Sequence, residues 1–329
     1  MSELSSIFSL IPSDWNISKN IDPDLVVPET GPFETTFTVD PGKESVRFLF
    51  PPSGGIENNH AYALNWIHKM KEKGFDVADF RLKTFSRILY GSPLAEEPGR
   101  VGNVGTLLGT ILSAGEDLKL KAYCDVFSRG ENHSIQTVQS LLSSVGFGTS
   151  WSKIQSLCID HGVVVPLVAL DLEDSSDARV KVYGDTSHLS AREIFHLISM
   201  TNPAYSWPKD SIFKTLSDSE LNLPFGHSHS APRSMLCWSF SGNSQAPAIG
   251  LTFYFPTNQV LASTEDLVTF LGSVMKPSSF QNAQRLLDNL LEESKLPNVP
   301  FHWVSLKLHT PNEGIGLYCP KEITRKLTS

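Results

Sequence analysis

Residues 178–183 alternate strictly between apolar and polar side chains. Successive side chains of a strand point to opposite faces, so the pattern predicts a strand with Arg179, Lys181 and Tyr183 on one face. Alanine and valine side chains form the other face, which can pack beneath helices. The polar face carries two cations and a phenol, and no carboxylate alternates with them.

Four other segments alternate in the same way. Their polar faces carry Arg47 in residues 45–50, Lys119, Lys121 and Tyr123 in residues 118–123, Thr252 and Tyr254 in residues 250–255, and Tyr318 in residues 314–319. Successive tyrosines among Tyr123, Tyr183, Tyr254 and Tyr318 are 60, 71 and 64 residues apart. This period indicates an internal repeat.

Each repeat consists of a hairpin followed by helical segments. Turn residues join the strands in five predicted hairpins, at residues 33–50, 106–124, 163–183, 234–255 and 302–318. Helices are predicted at residues 58–73, 77–88, 134–145, 150–158, 209–221, 263–275, 281–293 and 321–327, and one more begins at residue 190. Ser190 and Glu193 there form a capping-box pattern. Residues 1–30 show little regular pattern.

Five hairpins supply about ten antiparallel strands, and such a sheet can close into a barrel that has no exposed edge. Closure would place the apolar faces outward beneath the helices and the polar faces inward around a lumen. We therefore predict a single domain, residues 1–329, of mixed α and β structure (α/β, more narrowly α+β). Its barrel would have ten antiparallel strands around a lumen and helices outside, after an irregular segment at residues 1–30.

The composition is that of an ordinary globular protein with a sizeable core. The 329 residues are 40% hydrophobic and 19% charged, and the net charge of −8 argues against binding to nucleic acid or to an anionic membrane surface. The four cysteines form no CxxC pair, which favours free thiols in a reducing compartment. No apolar run has the roughly 20 residues of a membrane span, and the start lacks the basic region of a signal peptide. A cytoplasmic location is predicted.

Arg47, Lys121, Arg179 and Lys181 come from three hairpins and would all face the lumen. Cations that converge in a low-dielectric interior are costly unless an anion offsets them, and a diphosphate is such an anion. Solvated lysines and arginines on ordinary exposed strand faces are the alternative interpretation.

The tyrosines on the same faces suggest a second kind of charge. Aromatic rings stabilise a carbocation through their π faces and offer it no strong nucleophile. A cation-lined anion site beside such rings fits ionisation of an allylic diphosphate. Taken singly, each tyrosine is also explained as a half-buried strand aromatic.

Glu34 is a carboxylate at an inward position of the first hairpin. It could act as a general base or accept a hydrogen bond from an N–H group of an acceptor, although an exposed strand glutamate would look the same. Other acidic and histidine motifs are weaker. Residues 171–177 are rich in aspartate but lie in a predicted turn, where solvation is favoured, and His227 and His229 lack further metal ligands.

Two segments of the first hairpin resemble the dimethylallyltryptophan synthase family. These are residues 30–34, Thr-Gly-Pro-Phe-Glu, and residues 45–51, Ser-Val-Arg-Phe-Leu-Phe-Pro. Residues 120–123, 178–183, 253–255 and 317–318 resemble the later strands of that family, in the same order and spacing. The family comprises indole prenyltransferases with a barrel of five αββα units, the ABBA fold, and the resemblance covers nearly the whole chain from about residue 30.

The resemblance implies a role for each inward residue. Glu34 would hydrogen-bond the indole N–H, Arg47, Lys121, Arg179, Lys181 and Thr252 would bind the diphosphate, and Tyr123, Tyr183, Tyr254 and Tyr318 would shield the allyl cation. The reaction would be a Friedel–Crafts alkylation of an indole or tryptophan derivative that needs no Mg²⁺, no other metal and no cofactor. The substrates would be small molecules of secondary metabolism, and the enzyme would be a monomer or a homodimer.

The chain departs from the family pattern in three places. Only 31 residues precede the Pro-Phe-Glu motif, where the family has a longer helical segment. Leu107 and Leu108 stand where many members have a lysine, which removes the usual route for the final proton. Thr252 and Gly314 are small inward residues, so the lumen is predicted to accept geranyl as well as dimethylallyl diphosphate, with Lys307 or His309 supplying charge.

A non-catalytic barrel that binds an anionic, apolar small molecule is the competing interpretation. Glu34 distinguishes the two, because binding alone does not need an inward carboxylate beside the cations.

Overall fold

The computed structural model describes most of the predicted hairpins and helices. It covers residues 34–40, 43–50, 59–72, 74–90, 106–113, 118–175, 177–201, 234–242, 248–257, 263–294, 301, 303–308 and 314–320. Residues 1–30, the helices predicted at 209–221 and 321–327, and His227, His229 and His309 lie outside these described residues.

Ten strands form the sheet. They are β1 (Glu34–Asp40), β2 (Lys43–Phe50), β3 (Thr106–Ser113), β4 (Lys119–Asp125), β5 (Val164–Asp171), β6 (Val180–Asp185), β7 (Met235–Ser241), β8 (Ala248–Pro256), β9 (Trp303–Lys307) and β10 (Ile315–Pro320). Every strand pairs antiparallel with its sequence neighbours, and β1 also pairs with β10, so the sheet is a closed barrel. The predicted ten-stranded barrel is confirmed. That residues 1–329 form one domain stays a prediction.

Seven α-helices of the described residues accompany the hairpins. They are α1 (Asn59–Glu72), α2 (Phe80–Tyr90), α3 (Ser134–Ser144), α4 (Gly148–Asp160), α5 (Ala191–Thr201), α6 (Thr264–Val274) and α7 (Pro277–Ser294). α7 begins four residues before its predicted start at 281, because a proline at the first helical position needs no N–H partner. None of these helices is long and apolar enough to span a membrane.

The start of α5 shows how local sequence sets a helix boundary. The backbone N–H of Ser190 donates to the carboxylate of Glu193 at 2.8 Å, and the N–H of Glu193 donates to the Ser190 hydroxyl at 3.4 Å. These two bonds satisfy N–H groups that the first helical turn cannot pair. The predicted capping box is confirmed.

Two separate cores lie on the two sides of the sheet. The larger core fills the space between helices and barrel, where Trp151 of α4 packs edge-on against Trp238 of β7, with ring centroids 6.2 Å apart. The smaller core is inside the barrel and contains the four repeat tyrosines. Apolar strand faces therefore point outward and polar faces inward, as predicted.

A bulge in the third hairpin changes which residues face the lumen. The β5–β6 register shifts between Val164 and Leu167, around Pro166. Val165 belongs to the outer core, whereas Leu167 packs in the inner one. An extra residue in one strand reverses the alternation beyond it. Beyond the bulge, the odd-numbered residues 167, 169 and 171 follow the inward face.

Gly184 provides a test of the outer core. A Cβ built at Gly184 would lie 2.7 Å from Cζ3 of Trp238 and 2.7 Å from Cγ1 of Val163. We expect Gly184→Ala to lower the free energy of unfolding by roughly 1–3 kcal/mol, because a packed core must shift to admit a methyl group.

Gly272 in α6 is the matched control. A Cβ there would meet the Phe280 ring at 3.4 Å or more, and the residue is exposed on a helix. Gly272→Ala should raise the free energy of unfolding by up to about 1 kcal/mol, because alanine is the better helix former. Chemical denaturation measures the change in the free energy of unfolding of each variant. Changes of the same sign and size in both variants would contradict this account.

Candidate functional site

The barrel interior holds a cavity to which every strand contributes. Its volume is about 200 Å³, and it is lined by Glu34, Arg47, Leu49, Leu107, Tyr123, Leu167, Tyr183, Met235, Tyr254, Trp303 and Tyr318. The first hairpin contributes the ionisable residues Glu34 and Arg47. Each later hairpin contributes one tyrosine and one apolar or indole side chain, and those two residues are cross-strand partners.

The four tyrosines form a continuous row, here called the tyrosine belt (Tyr123, Tyr183, Tyr254 and Tyr318). Neighbouring ring centroids lie 6.3, 5.8 and 5.7 Å apart, and each pair is tilted or edge-on. Such distances and tilts are favourable for aromatic pairs. The belt therefore presents a curved aromatic wall to the cavity.

The belt tyrosines are neutral phenols. Burial raises the pKa of Tyr123 to about 12 and raises the pKa values of Tyr183 and Tyr254 well above the usual value. A neutral phenol is a weak nucleophile, while its π face still attracts a cation. The belt can therefore stabilise a carbocation without forming a bond to it.

Gly316 shows how closely the belt is packed. It lies two residues before Tyr318 and on the same face, and a Cβ there would be 2.6 Å from Oγ of Ser305 and 3.1 Å from Cε2 of Tyr318. Side-chain hydrogen bonds also link Tyr318 to Ser305 and to Tyr254. The glycine thus gives the ring the space it needs.

The two small residues predicted to enlarge the lumen, Thr252 and Gly314, lie outside the lining of this cavity. Thr252 is buried on β8, and Gly314 precedes β10, where its carbonyl accepts from the N–H of Lys307 at 2.9 Å. Neither Thr252 nor Gly314 lines the cavity. Acceptance of a geranyl donor stays a prediction.

Arg47 extends the belt on the first hairpin. Thr36 of β1 pairs with Arg47 on one side and with Tyr318 on the other, so these two residues flank the same position of β1. The Nε atom of Arg47 is buried and has no hydrogen-bond partner in the described structure. A buried guanidinium nitrogen without an acceptor is costly, so Nε is available to donate to an acceptor atom placed beside it.

Glu34 lies at one end of the cavity. Its strand partners are Leu49 and Pro320, each two residues beyond the level of Arg47 and Tyr318. Burial raises the pKa of Glu34 to about 7, and the positive charge of Arg47 opposes the rise. Near neutral pH, this carboxyl group can therefore either hold or accept a proton.

The other predicted cations lie at the opposite end. Lys121 and Lys181 each precede their belt tyrosine by two residues, which displaces them by about 7 Å along the barrel. Their side chains are only 1% and 6% exposed. Arg179 follows at the rim, where 37% of its side chain is exposed. We call Lys121, Arg179 and Lys181 the cation cluster.

Asp171 lies among these cations, and here the sequence prediction was wrong. Residues 171–177 were predicted to form a solvated turn. Instead Asp171 is the last residue of β5 and 5% exposed, with Oδ1 at 2.6 Å from Nζ of Lys121 and Oδ2 at 2.8 Å from Nε of Arg179. The turn follows Asp171 rather than including it.

Burial affects the charges of this cluster strongly. Burial, together with the smaller effect of the neighbouring Arg179, lowers the pKa of Lys181 to about 7. It also lowers the pKa of Lys121 well below its usual value, and Asp171 opposes that change. Burial would raise the pKa of Asp171, but Lys121 and Arg179 hold it well below its usual value. Asp171 is therefore a carboxylate in the empty site.

The predicted site residues thus form two neighbouring groups along the lumen. Glu34, Arg47 and the tyrosine belt share the cavity, whereas Lys121, Lys181 and Arg179 surround Asp171. Thr252 lies opposite Lys307 on β9 and Cys237 on β7, two residues from Tyr254 toward the same end as Lys181.

Several lumen residues were missed by sequence analysis. They are Leu49, Leu167, Asp171, Met235, Cys237 and Trp303. The alternation of Met235, Cys237 and Ser239 on β7 was the signal for two of them, since every second residue of that strand faces inward. Leu107 was noted as a departure and lines the cavity.

No group of three or more histidine, cysteine, aspartate or glutamate side chains among the described residues is arranged to hold a metal ion.

Comparison with known proteins gives matches among solved structures. No protein-family model matches the sequence, and a search of curated proteins finds no match. A 6-dimethylallyl tryptophan synthase superimposes with a TM-score of 0.72 at 14% identity, covering 98% of this chain and 94% of that one.

Two further structures agree. A 6-dimethylallyltryptophan synthase from Micromonospora olivasterospora, in complex with DMASPP and Trp, gives a TM-score of 0.68 at 14% identity, over 98% of this chain and 96% of that one. A 5-dimethylallyltryptophan synthase from Streptomyces coelicolor gives 0.66 at 18% identity, over 88% and 81%. The chain therefore has the ABBA barrel fold of the dimethylallyltryptophan synthases.

Proposed function

We propose that the protein is an aromatic prenyltransferase. It transfers a prenyl group from an allylic diphosphate, with dimethylallyl diphosphate as the first donor to test, to an electron-rich aromatic acceptor of the indole class. The acceptor is an indole or a tryptophan derivative. A structure of the same fold that holds DMASPP and Trp supports both choices.

One observation carries this proposal, the order of groups along the lumen. The cation cluster lies at one end, the tyrosine belt with Arg47 in the middle, and Glu34 at the other end. A diphosphate at the cations would place its prenyl chain against the belt. An acceptor ring would then occupy the cavity between the belt and Glu34.

This order fits the steps of an ionising alkylation. The bond between the allylic carbon and oxygen breaks, and its electron pair leaves with the diphosphate, whose added charge the cation cluster offsets. The belt stabilises the allyl cation by its π faces. A ring carbon of the acceptor then forms the new carbon–carbon bond, and the ring regains aromaticity by losing a proton.

Glu34 acts on the acceptor. A carboxylate at this position accepts a hydrogen bond from the indole N–H, which increases electron density in the ring as positive charge develops there. Leu107 and Leu167 face the same cavity and cannot accept the final proton. Glu34 is thus the cavity carboxylate that is able to take it up, directly or through water.

The proposal assigns the leaving-group chemistry to side chains rather than to a metal or a cofactor. Arg47 and Arg179 can bind phosphate oxygens in a bidentate manner, and Lys121 and Lys181 add point charges. Thr252, with Lys307 beside it across the β8–β9 pair, extends this polar surface. A monomeric or homodimeric state and a cytoplasmic location stay predictions.

Turnover without metal is the first test. The protein with dimethylallyl diphosphate and a panel of indoles in EDTA should release diphosphate and form a product heavier by one prenyl group, as measured by mass spectrometry. Activity that is lost in EDTA and restored by Mg²⁺ would contradict the assignment to side chains. Donor binding without any turnover would favour the non-catalytic binding barrel.

Glu34→Gln should preserve the fold and lower kcat by about 100-fold or more, because the amide is a weaker acceptor for the indole N–H and cannot take up a proton. Since the pKa of Glu34 is raised to about 7, wild-type kcat/KM for the acceptor should rise with pH through that value as the carboxylate forms. The variant should show no such rise. A pH–rate series on both proteins measures it, and an equal rise in both would remove Glu34 from the mechanism.

Lys181 should control the pH dependence of donor binding. Because its pKa is about 7, the Lys181 amine is largely protonated below neutral pH and largely neutral above it when no donor is bound. An anionic donor favours the protonated form, so donor binding takes up a proton and the donor KM should rise with pH above about 7.

Lys181→Met removes a charge-assisted contact of roughly 1.5–3 kcal/mol, which corresponds to about 10- to 150-fold in donor KM at pH 6.5. Its donor KM should also depend less on pH than that of the wild type. Exposed Lys153 of α4 supplies the control Lys153→Met, which should match the wild type. An unchanged donor KM in Lys181→Met would rule out this lysine as a diphosphate contact.

A further inference from the structure

Asp171 has a role that the proposed reaction does not by itself require. The prenyl donor is an anion, and a buried carboxylate at its binding site adds a repulsive charge. Nevertheless Asp171 lies at the centre of the cation cluster, 5% exposed, with cations on both sides. Its contacts show what it contributes.

The two carboxylate oxygens of Asp171 bind different partners, Lys121 and Arg179. Oδ1 lies 2.6 Å from Nζ of Lys121 on β4, whose backbone is directly opposite Asp171 in the β4–β5 pair. Oδ2 accepts from Nε of Arg179 at 2.8 Å and from the Arg179 N–H at 3.2 Å. A single side chain thus bridges cations from the second and third hairpins.

The backbone fixes this bridge in place. The N–H of Asp171 donates to the carbonyl of Arg179 at 2.9 Å, so the two backbones are also joined just beyond the end of the β5–β6 ladder. From outside the barrel, Nη1 of Arg81 on α2 donates to the carbonyl of Ala178 at 2.7 Å. Asp171 and Arg179 are therefore held at defined positions.

The orientation of Arg179 follows from these contacts. Asp171 engages the Nε edge of the guanidinium, and a guanidinium held at Nε can still present its terminal nitrogens to a phosphate. Without the carboxylate, a side chain that is 37% exposed would sample many rotamers at the rim.

The charge of Lys121 follows as well. Its side chain is 1% exposed, so burial favours the neutral amine. The cations that act on it or on Asp171 are Arg47 from β2, Arg81 from α2, Arg179 just before β6, and Lys181 from β6. Asp171 is the anion among these interacting groups, and it favours the protonated form of Lys121.

We propose that Asp171 is a positioning residue for diphosphate binding, which holds Arg179 in a phosphate-binding orientation and holds the ammonium group of Lys121 by an ion pair before the donor arrives. The inference rests on the proposed function and specifies how its anion site is organised. The donor then meets a cluster with fixed geometry and an excess of positive charge. The favourable interaction with those cations exceeds the repulsion from one carboxylate.

Asp171→Asn is the direct test, because it keeps the size of the side chain and removes its charge. Two measurements are made at pH 6.5 and pH 8.5: the dissociation constant of inorganic diphosphate by calorimetry, and donor KM and kcat by turnover. At pH 8.5 we expect diphosphate affinity and donor KM to worsen at least tenfold, with kcat changed less than threefold. At pH 6.5, where Lys121 is protonated more readily, the defect should shrink severalfold.

Asp174→Asn is the matched control. Asp174 lies in the same hairpin and is exposed, so its loss removes an equal charge without touching the bridge. It should match the wild type at both pH values. A thermal melt of each variant confirms folding before binding is measured.

Asp171→Glu covers the case in which the asparagine variant fails to fold. It keeps the charge but moves the carboxylate by one methylene, so donor KM should rise while its pH dependence stays as in the wild type. Wild-type affinity in either folded variant at pH 8.5 would overturn the proposal. An equal defect of Asp171→Asn at both pH values, or tighter binding at both, would also overturn it.

Because calorimetry with inorganic diphosphate needs no turnover, a protein that binds diphosphate through Asp171 but transfers no prenyl group would overturn only the proposed function.

Discussion

The pairing of β1 with β10 is the constraint on which the rest of the structure depends. It brings Thr36 between Arg47 and Tyr318, so the first and last hairpins meet in one wall of the lumen. An open sheet of the same strands would leave its polar face in water, where lysines and arginines interact only weakly with an anion. Closure converts that face into a desolvated site in which each charge has a large effect.

Desolvation then determines how the charges must be arranged. Lys121 and Lys181 are almost fully buried, and burial alone favours their neutral forms. The carboxylate of Asp171 partly compensates for this cost in the empty barrel, and the diphosphate of a donor compensates for more of it. The same low dielectric raises the pKa of the tyrosine phenols further above neutrality and raises the pKa of Glu34 to about 7. One physical condition therefore sets anion binding, cation stabilisation and acceptor activation along the lumen.

Sequence alone was sufficient for the repeat and for most of the site. Strict alternation placed Lys181 and Tyr183 on one face, and the turn residues between alternating segments predicted the hairpins. These signals are local, because a strand fixes the direction of its side chains by its own backbone geometry. The capping box at Ser190 and the inward position of Arg47 were predictable for the same reason. Closure itself could be predicted only because five similar hairpins leave no other neighbour for the first and last strands.

The tertiary structure decided the position of Asp171. Residues 163–170 are apolar on both faces, so their sequence does not show which residues face inward, and the bulge at Pro166 reverses the alternation before Asp171. Without that reversal, Asp171 would follow Val165 into the outer core. Its partners Lys121 and Arg179 lie 50 residues before it and 8 after it along the chain and meet it only through strand pairing. The sequence by itself determined which side chains could form the site. Register and closure decided which charges oppose each other, because ion pairing depends on distances that strand pairing alone establishes.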